Sequence, residues 1–173
     1  MSMWVFGYGS LLWNPGFTPV EAVTATLSGY HRSFCMLSIH HRGTVEHPGL
    51  VLALDEADTT CTGVAFRVAP ADEDRVLAEL RERELISSAY VEKHVPLALI
   101  DGRGVDALAY VISRDHDQYC QFDLETQAQM IARSVGGRGP NPEYLFNTAA
   151  HLDEMGIDDP DMSWLVARVR QLT

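Results

Sequence analysis

The feature that most constrains the fold of this chain is the run of residues 4–13, which reads WVFGYGSLLW. Apolar, β-prone residues at this density predict a buried strand near the N-terminus. Gly7 and Gly9 interrupt the run, and glycine in a strand is expected where the backbone turns sharply or another group approaches it closely. With Tyr8 and Ser10 between and beside them, the segment offers backbone N–H groups, a phenol and a hydroxyl, which suit a small anionic or carbonyl group. The alternative is a β-bulge in a core strand, because short glycine patterns are weak signals.

The composition predicts a single soluble domain over residues 1–173. A chain of this length can bury one hydrophobic core. A hydrophobic content of 46% and a charged content of 21% are ordinary for a globular protein. The formal net charge of −11 argues against a nucleic-acid partner or an anionic membrane surface, since both would repel it. An anionic substrate would therefore need a local cluster of Arg, His or backbone N–H groups.

The cysteines predict a reducing compartment. Cys35, Cys61 and Cys120 are far apart and form no Cys-x-x-Cys pair, which indicates neither a disulfide framework nor a zinc ribbon. The N-terminal residues lack the basic region and the cleavage site of a signal peptide, and no apolar run approaches the roughly eighteen residues of a membrane span. We therefore expect a cytoplasmic protein.

Hydrophobic periodicity divides the chain into a strand-rich part and a helical last third. The predicted strands are residues 23–28 and 30–37 (or one bent strand), 50–54, 61–68 after an acidic turn, and a hairpin of 90–100 and 105–113. One helix, residues 70–84, interrupts the strands and is followed by the small residues Ser87, Ser88 and Ala89. Further helices are predicted after the cap Asp123 with an apolar face that reaches Val135, from Asn141, and over residues 162–172. This order predicts an α+β fold, a small mixed β-barrel or curled sheet with flanking helices.

Glu84 is the carboxylate with the most informative position. Val76, Leu80 and Glu84 are spaced four residues apart, so Glu84 continues the apolar face of the predicted helix. Burial and the negative end of the helix dipole should raise the pKa of this carboxyl, which is the environment of a general base working near neutral pH. The alternative is a glutamate at a helix end that leans into water or pairs with Arg81.

The sequence carries no pattern typical of a metal or cofactor site. His40, His41 and His47 share a polar loop, but no two histidines have the spacing that fixes a metal on one helix face. The Asp-His-Asp triplet at residues 115–117 is expected in a solvated turn. A Gly-x-Ser-x-Gly elbow, a dinucleotide fingerprint and a P-loop are all missing. The spacing of these His and Asp residues therefore predicts no metal site.

Four blocks of the sequence resemble the ChaC-like γ-glutamylcyclotransferases, in the same order along the chain. They are residues 6–15 (FGYGSLLWNP), residues 42–44 with 48–49 and 52–54, Arg83-Glu84 followed by Tyr90, and residues 139–145 (GPNPEYL) with 156–157. The collinear match covers nearly the whole chain, and four ordered blocks are far more specific than any one of them. Leu50 departs from the pattern because many relatives carry a basic residue there, which concerns a local anion contact and not the reaction.

The resemblance implies a compact mixed barrel and a reaction without a cofactor, in which glutathione is cut into 5-oxoproline and cysteinylglycine. The α-amine of the γ-glutamyl group attacks its own side-chain carbonyl, so the substrate supplies the nucleophile. The implied role of Glu84 is to take a proton from this amine and to return it to the leaving amine. The implied substrate contacts are Tyr8, Gly9, Ser10 and Leu11, whose backbone would bind the γ-glutamyl end, and the hydroxyls of Tyr90 and Tyr144.

Two other functions compete with glutathione cleavage. The first is a cyclotransferase that acts on other γ-glutamyl amides or amines, because the same loop and glutamate would serve them all. The second is a non-catalytic binding module, which the retention of a costly inward carboxylate at Glu84 disfavours. For both cyclotransferase functions the expected partner is a small-molecule substrate, glutathione or a related γ-glutamyl compound. The sequence carries no signal for the oligomeric state, or for a substrate contact by Arg42 or by the loop of His40, His41 and His47.

Overall fold

The α+β class predicted from the sequence is confirmed by the computed structural model, which describes residues 2–85 and 89–173. Helices alternate with strands in the first two thirds of the chain and dominate the last third. The elements are β1 (Trp4–Gly7), α1 (Ser10–Trp13), β2 (Glu21–Ser38), β3 (Gly49–Arg67), a 3₁₀ turn (Pro70–Asp72), α2 (Glu73–Glu84), β4 (Tyr90–Leu99), β5 (Gly104–Ile112), α3 (Leu124–Arg133), β6 (Val135–Gly136), β7 (Gly139–Pro140), α4 (Asn141–Glu154) and α5 (Pro160–Leu172). Of the residues predicted to link α2 to β4, Ser87 and Ser88 lie outside the described residues.

Strands β1 to β5 form the predicted mixed barrel, which is confirmed. It is closed, with the strand order β1-β3-β2-β4-β5 and a further pairing of β3 with β5. β1 runs antiparallel to β3, and it pairs in parallel with β5 where Val5 lies opposite Leu108. The predicted hairpin is also confirmed, since β4 and β5 are in continuous antiparallel register from Tyr90 opposite Ile112 to Ala98 opposite Gly104.

Two stretches predicted as separate strands are continuous. β2 covers both predicted segments, which matches the bent-strand alternative, and Gly29 lies within it at φ 88°, a conformation that glycine adopts without strain. β3 runs without a break through the predicted acidic turn, so that turn is wrong. Asp55 is accommodated inside the strand because its buried carboxylate accepts a hydrogen bond from Arg114 at 2.8 Å.

Residue contacts divide the chain into two compact units. Unit 1 consists of Met1–Ser33 and Ala53–His116, and unit 2 consists of Phe34–Leu52 and Asp117–Thr173. The apolar face of α2 packs into a buried cluster of unit 1, made of Val5, Leu11, Val68, Val76, Leu80 and Tyr110. In unit 2, α3, α4 and α5 pack against one another. That residues 1–173 work as a single domain stays a prediction.

α3 and α4 begin where the sequence predicts, but the predicted helix 70–84 opens with a 3₁₀ turn and α5 begins at Pro160, two residues before its predicted start. α3 also ends earlier than predicted. Asp123 caps α3 by accepting a hydrogen bond from the backbone N–H of Thr126 at 2.8 Å. Val135 does not belong to the apolar face of α3, because it lies in β6 with 58% of its surface exposed. The helix stops at Arg133, since Ser134 takes up an extended backbone and its hydroxyl bonds to the carbonyl of Pro48 at 2.9 Å. Among the described residues, no helix combines the length and the apolar character that a membrane crossing requires.

Candidate active site

The predicted strand of residues 4–13 is a strand only as far as Gly7, where β1 ends. The chain turns at Tyr8 and Gly9 and continues as the single helical turn α1, which the sequence did not predict. Gly7 has a packing role, because a Cβ atom there would lie 2.7 Å from the Cε2 atom of Phe66. Packing against Phe66 is therefore enough to explain the glycine at position 7. Residues 8–11, which we call the glycine loop, lie beyond the end of β1.

The carbonyl groups of the glycine loop accept hydrogen bonds from the protein, while several of its N–H groups donate to none. The carbonyl bonds run from Arg32 Nε to Tyr8 at 2.6 Å, from Leu12 N to Gly9 at 2.9 Å and from Asn14 N to Ser10 at 2.8 Å. Within residues 2–85 and 89–173, the N–H groups of Gly9, Ser10 and Leu11 make no hydrogen bond. The loop therefore retains donors suited to a carbonyl or carboxylate oxygen of a bound molecule.

Arg32 is a buried cation beneath this loop that the sequence analysis missed. It lies in β2, and besides the Tyr8 carbonyl its guanidinium donates to the carbonyl of Thr62 in β3. A signal existed in the sequence, because Arg32 alternates with Phe34 and Met36 on one face of the strand. Inward-facing apolar residues at those positions indicate that Arg32 points inward too.

Glu84 is the last residue of α2, and its side chain is only 13% exposed. Val76 and Leu80, on the same face of the helix, are fully buried, as the spacing predicted. Arg81 is not its partner, because Arg81 forms an ion pair with Glu92 at 3.0 Å. The carboxylate of Glu84 instead lies 3.4 Å from Nε of Arg83. The structure thus matches neither a glutamate leaning into water nor one paired with Arg81.

Arg83 joins Glu84 to the glycine loop. Its Nη2 atom donates to Oγ of Ser10 at 3.0 Å, and its Nη1 atom donates to the carbonyl of Asn14 at 2.6 Å. The same guanidinium therefore contacts the carboxylate of Glu84 and the hydroxyl of the loop. Since Ser10 accepts this bond with its oxygen, its own hydrogen is available as a donor.

A second network lies beside Glu84 and was also missed. The buried hydroxyl of Tyr110 donates to Glu92 at 3.0 Å, and the backbone carbonyl of Tyr110 accepts from the phenol of Tyr8 at 2.8 Å. The hydrogen bond from Arg81, more than the one from Tyr110, holds the pKa of the Glu92 carboxyl below its usual value. Burial, followed by the negative charges of Glu92 and Glu84, raises the pKa of Tyr110 well above its usual value. Tyr110 therefore stays a neutral hydrogen-bond donor at physiological pH.

The two remaining tyrosines of the predicted site lie in different units. Tyr90 opens β4 and packs against the buried cluster of unit 1 that also holds Val76 and Leu80. Tyr144 belongs to unit 2, where it is buried in α4 and its hydroxyl accepts from the N–H of Leu52 at 3.1 Å. The structure thus brings the glycine loop, Glu84 and Tyr90 into one unit and describes Tyr144 in the other.

Other polar residues singled out by the sequence have structural partners or are exposed. Arg42 is buried in unit 2, where it donates to the carbonyl of Pro140 at 3.0 Å and to Glu143 at 3.3 Å. His40, His41 and His47 are exposed. Among the described residues, no group of three or more His, Cys, Asp or Glu side chains is arranged to hold a metal ion.

Comparison with known proteins supports one family. Residues 3–172 match the family model described as "ChaC-like protein". The glutathione-specific γ-glutamylcyclotransferase of Escherichia coli is 38% identical over 172 residues, which cover 98% of this chain and 74% of that protein. γ-Glutamylcyclotransferase 2-3 of Arabidopsis thaliana is 32% identical over 180 residues, covering 99% of this chain and 90% of its own. The crystal structure of a yeast γ-glutamylcyclotransferase specific to glutathione has the same fold, with a TM-score of 0.89 at 23% identity over 99% of this chain and 96% of that one. Because the family model matches residues 3–172 and these two relatives are 38% and 32% identical, the chain belongs to the ChaC-like family.

Proposed function

We propose that this chain is a γ-glutamylcyclotransferase, a lyase that cleaves glutathione into 5-oxoproline and cysteinylglycine. One observation carries the proposal: the guanidinium of Arg83 contacts both the sheltered carboxylate of Glu84 and the hydroxyl of Ser10. A proton acceptor and a set of open hydrogen-bond donors therefore belong to one site. The names of the E. coli and Arabidopsis relatives support the same activity.

In the proposed reaction the substrate attacks itself. The nitrogen of the γ-glutamyl α-amine forms a bond to the γ-carbonyl carbon, which closes a five-membered ring, and the amide bond to cysteine breaks. Glu84 accepts a proton from the attacking amine and delivers it to the leaving amine, so atoms and charge balance without water or a co-reactant. The protein needs no nucleophile of its own, and its main task is to hold the γ-glutamyl group in the conformation for attack.

The glycine loop would stabilise the negative charge that develops on the carbonyl oxygen during attack. The open N–H groups of Gly9, Ser10 and Leu11 and the hydroxyl of Ser10 are suitable donors. Loss of one such donor in an enzyme typically lowers kcat by about 10²–10³-fold. We keep Tyr8 as a contact through its backbone and Tyr90 and Tyr144 as hydroxyl contacts, which Tyr→Phe variants would test.

We also propose a cytoplasmic protein in which residues 1–173 act as one functional domain on a small-molecule substrate, without a nucleic-acid or membrane partner. The net charge of −11 and the three free, buried thiols support this assignment.

The deciding experiment is incubation of the purified protein with glutathione and mass spectrometry of the products. We expect equal amounts of 5-oxoproline and cysteinylglycine from the wild type and almost none from Glu84→Gln. A parallel panel of γ-glutamyl dipeptides and γ-glutamyl amines measures the substrate range. Products from the panel but not from glutathione would support a cyclotransferase that acts on other γ-glutamyl amides or amines. Binding of glutathione without any product would support a non-catalytic binding module.

A further inference from the structure

We propose that Arg83 is a positioning residue, which holds the glycine loop and Glu84 in the mutual arrangement that turnover requires. This inference rests on the proposed function, because it assigns a role within the same site. It goes beyond that function by naming the residue that makes the loop and the carboxylate act together.

The contacts of Arg83 carry the inference. Its guanidinium donates to the carbonyl of Asn14 at 2.6 Å and to Oγ of Ser10 at 3.0 Å, and its Nε atom lies 3.4 Å from the carboxylate of Glu84. The side chain is 21% exposed, so water competes only in part for these bonds. A planar guanidinium with five donors in a fixed fork can hold three acceptors at once, which the compact ammonium of lysine cannot do with the same geometry.

The glycine loop needs such an external support. α1, which begins within the loop at Ser10, is four residues long, and a helix of one turn has no stability of its own in water. Asn14 is the C-cap of this helix, so Arg83 fixes the end of α1 while Arg32 fixes the Tyr8 carbonyl before its start. The orientation of Ser10 and of the open N–H groups between them therefore depends on these two arginines.

The bond from Arg83 also determines what Ser10 can do. Because the Ser10 oxygen accepts from a cation, its hydroxyl hydrogen points elsewhere and is a stronger donor to a substrate oxygen. Without Arg83 the hydroxyl would be free to rotate, and Glu84 would lose the cation beside it.

The other arginines of α2 differ from Arg83 in their contacts. Arg75 pairs with Asp72 at 3.4 Å and with Glu79 at 3.3 Å on the exposed side of the helix. Arg81 pairs with Glu92. Arg75→Gln is therefore a matched control, since it removes the same charge from the same helix without touching the loop.

The test compares steady-state kinetics of glutathione cleavage for the wild type, Arg83→Gln, Arg83→Lys and Arg75→Gln. We expect Arg83→Gln to lower kcat by about 10–100-fold with a much smaller change in KM, because a misplacement of about 1 Å can reduce the rate by 10²-fold. Arg83→Lys should recover only part of this loss, and Arg75→Gln should behave as the wild type. The melting temperatures of the variants should stay within a few degrees of the wild type.

A double-mutant cycle with Ser10→Ala tests whether Arg83 acts through the loop. We expect Ser10→Ala to reduce kcat less in the Arg83→Gln background than in the wild type, since the hydroxyl is already misplaced there. Wild-type kcat in either Arg83 variant, or fully additive losses, would overturn the inference. If Arg83→Gln does not fold, the kcat of Arg83→Lys alone tests the inference. If neither variant folds, Arg83 is required for folding and the inference is overturned. A wild type that forms no 5-oxoproline would instead refute the proposed function.

Discussion

At the scale of single residues, the proposed chemistry depends on one carboxylate. Glu84→Gln keeps the size of the side chain but cannot accept a proton, so we expect kcat for glutathione to fall by about 10²–10⁴-fold. The melting temperature should barely change, because the neutral amide relieves the cost of keeping a carboxylate largely out of water, which offsets the loss of the contact with Arg83. Product formation measures kcat, and thermal unfolding measures the melting temperature.

Glu79→Gln is the control for this prediction, since Glu79 lies on the same helix with 53% of its side chain exposed. It should leave kcat unchanged. If Glu84→Gln retained wild-type turnover, Glu84 would be a structural residue. The base would then have to be sought at Glu82 or Glu92, and at Glu79 only if Glu79→Gln lost turnover.

The cysteines give a second prediction at this scale. Cys35, Cys61 and Cys120 are free and buried, and burial raises the pKa of the Cys120 thiol to about 11. Because the thiolate is the reactive form, we expect the native protein to react slowly with Ellman's reagent near neutral pH. All three thiols should react at once after denaturation. Rapid reaction of a thiol in the native protein would contradict this prediction.

At the scale of elements, Asn141 attaches the start of α4 to β3. Its side-chain amide donates to the carbonyl of Leu50 and accepts from the N–H of Leu50, both at 2.8 Å, in the manner of a neighbouring strand. Asn141→Ala would leave both backbone groups buried without partners. At about 1–3 kcal/mol for each of the two groups, we expect urea unfolding to show a loss of about 2–6 kcal/mol.

Asn147→Ala is the matched control for Asn141→Ala, because Asn147 lies on the same helix and is only half-buried. We expect it to change the free energy of unfolding by less than about 1 kcal/mol. Equal losses in the two variants would mean that the bonds to Leu50 contribute nothing specific.

The contact between α2 and β4 gives a prediction about pH. The hydrogen bond from Arg81 lowers the pKa of the Glu92 carboxyl below its usual value of 4.5, so the folded state favours the ionised form. The ionised carboxylate therefore stabilises the folded protein when the pH is above the pKa of Glu92 in the unfolded chain. This stabilisation is lost as the pH falls through the lower pKa of Glu92 in the folded protein. The wild type should therefore melt above Glu92→Gln near pH 7, and the two melting temperatures should approach each other as the pH falls below 4.5. If the difference in melting temperature between the two proteins stayed constant from pH 7 to pH 3, the ion pair of Arg81 with Glu92 would not contribute to stability.

Elements with local signals could be predicted from the sequence, and those that depend on distant partners could not. The helices and the β4–β5 hairpin follow from periodicity, caps and a turn within one segment. The continuity of β3 could not be seen, because the buried Asp55 needs Arg114, which lies 59 positions away along the chain. The helical turn α1 was missed because Arg32 and Arg83 support it from other elements.

The candidate site divides in the same way. Glu84 was found because its spacing continues an apolar helix face, and the structure places its side chain largely out of water. Glu92 and Tyr110 lie opposite each other in the predicted hairpin, but the sequence analysis gave only the ends of the two strands and not their residue-by-residue register, so this hydrogen bond was missed. The substrate contacts of Tyr90 and Tyr144 came from family resemblance and stay predictions.

At the scale of the whole molecule, we expect activity to be independent of divalent metals. The sequence has no ligand spacing for a metal, and the residues that the structure describes contain no group of three or more His, Cys, Asp or Glu side chains that could hold one. In the proposed reaction the amine of the substrate is the nucleophile, so no metal-bound hydroxide is required. Excess EDTA should leave the rate of 5-oxoproline formation unchanged. Loss of activity that a divalent metal restores would contradict the mechanism.

The discontinuous make-up of unit 2 has a consequence for synthesis of the chain on the ribosome. Residues 34–52 emerge long before residues 117–173, with which they form that unit. Until then the backbone N–H groups of Leu50 and Leu52 lack the side chains of Asn141 and Tyr144 that accept from them. A polypeptide released after residue 116 would contain all of unit 1 and yet carry residues 34–52 without the rest of the unit to which they belong. Premature termination should therefore yield insoluble product that chaperones retain, and not a smaller working protein.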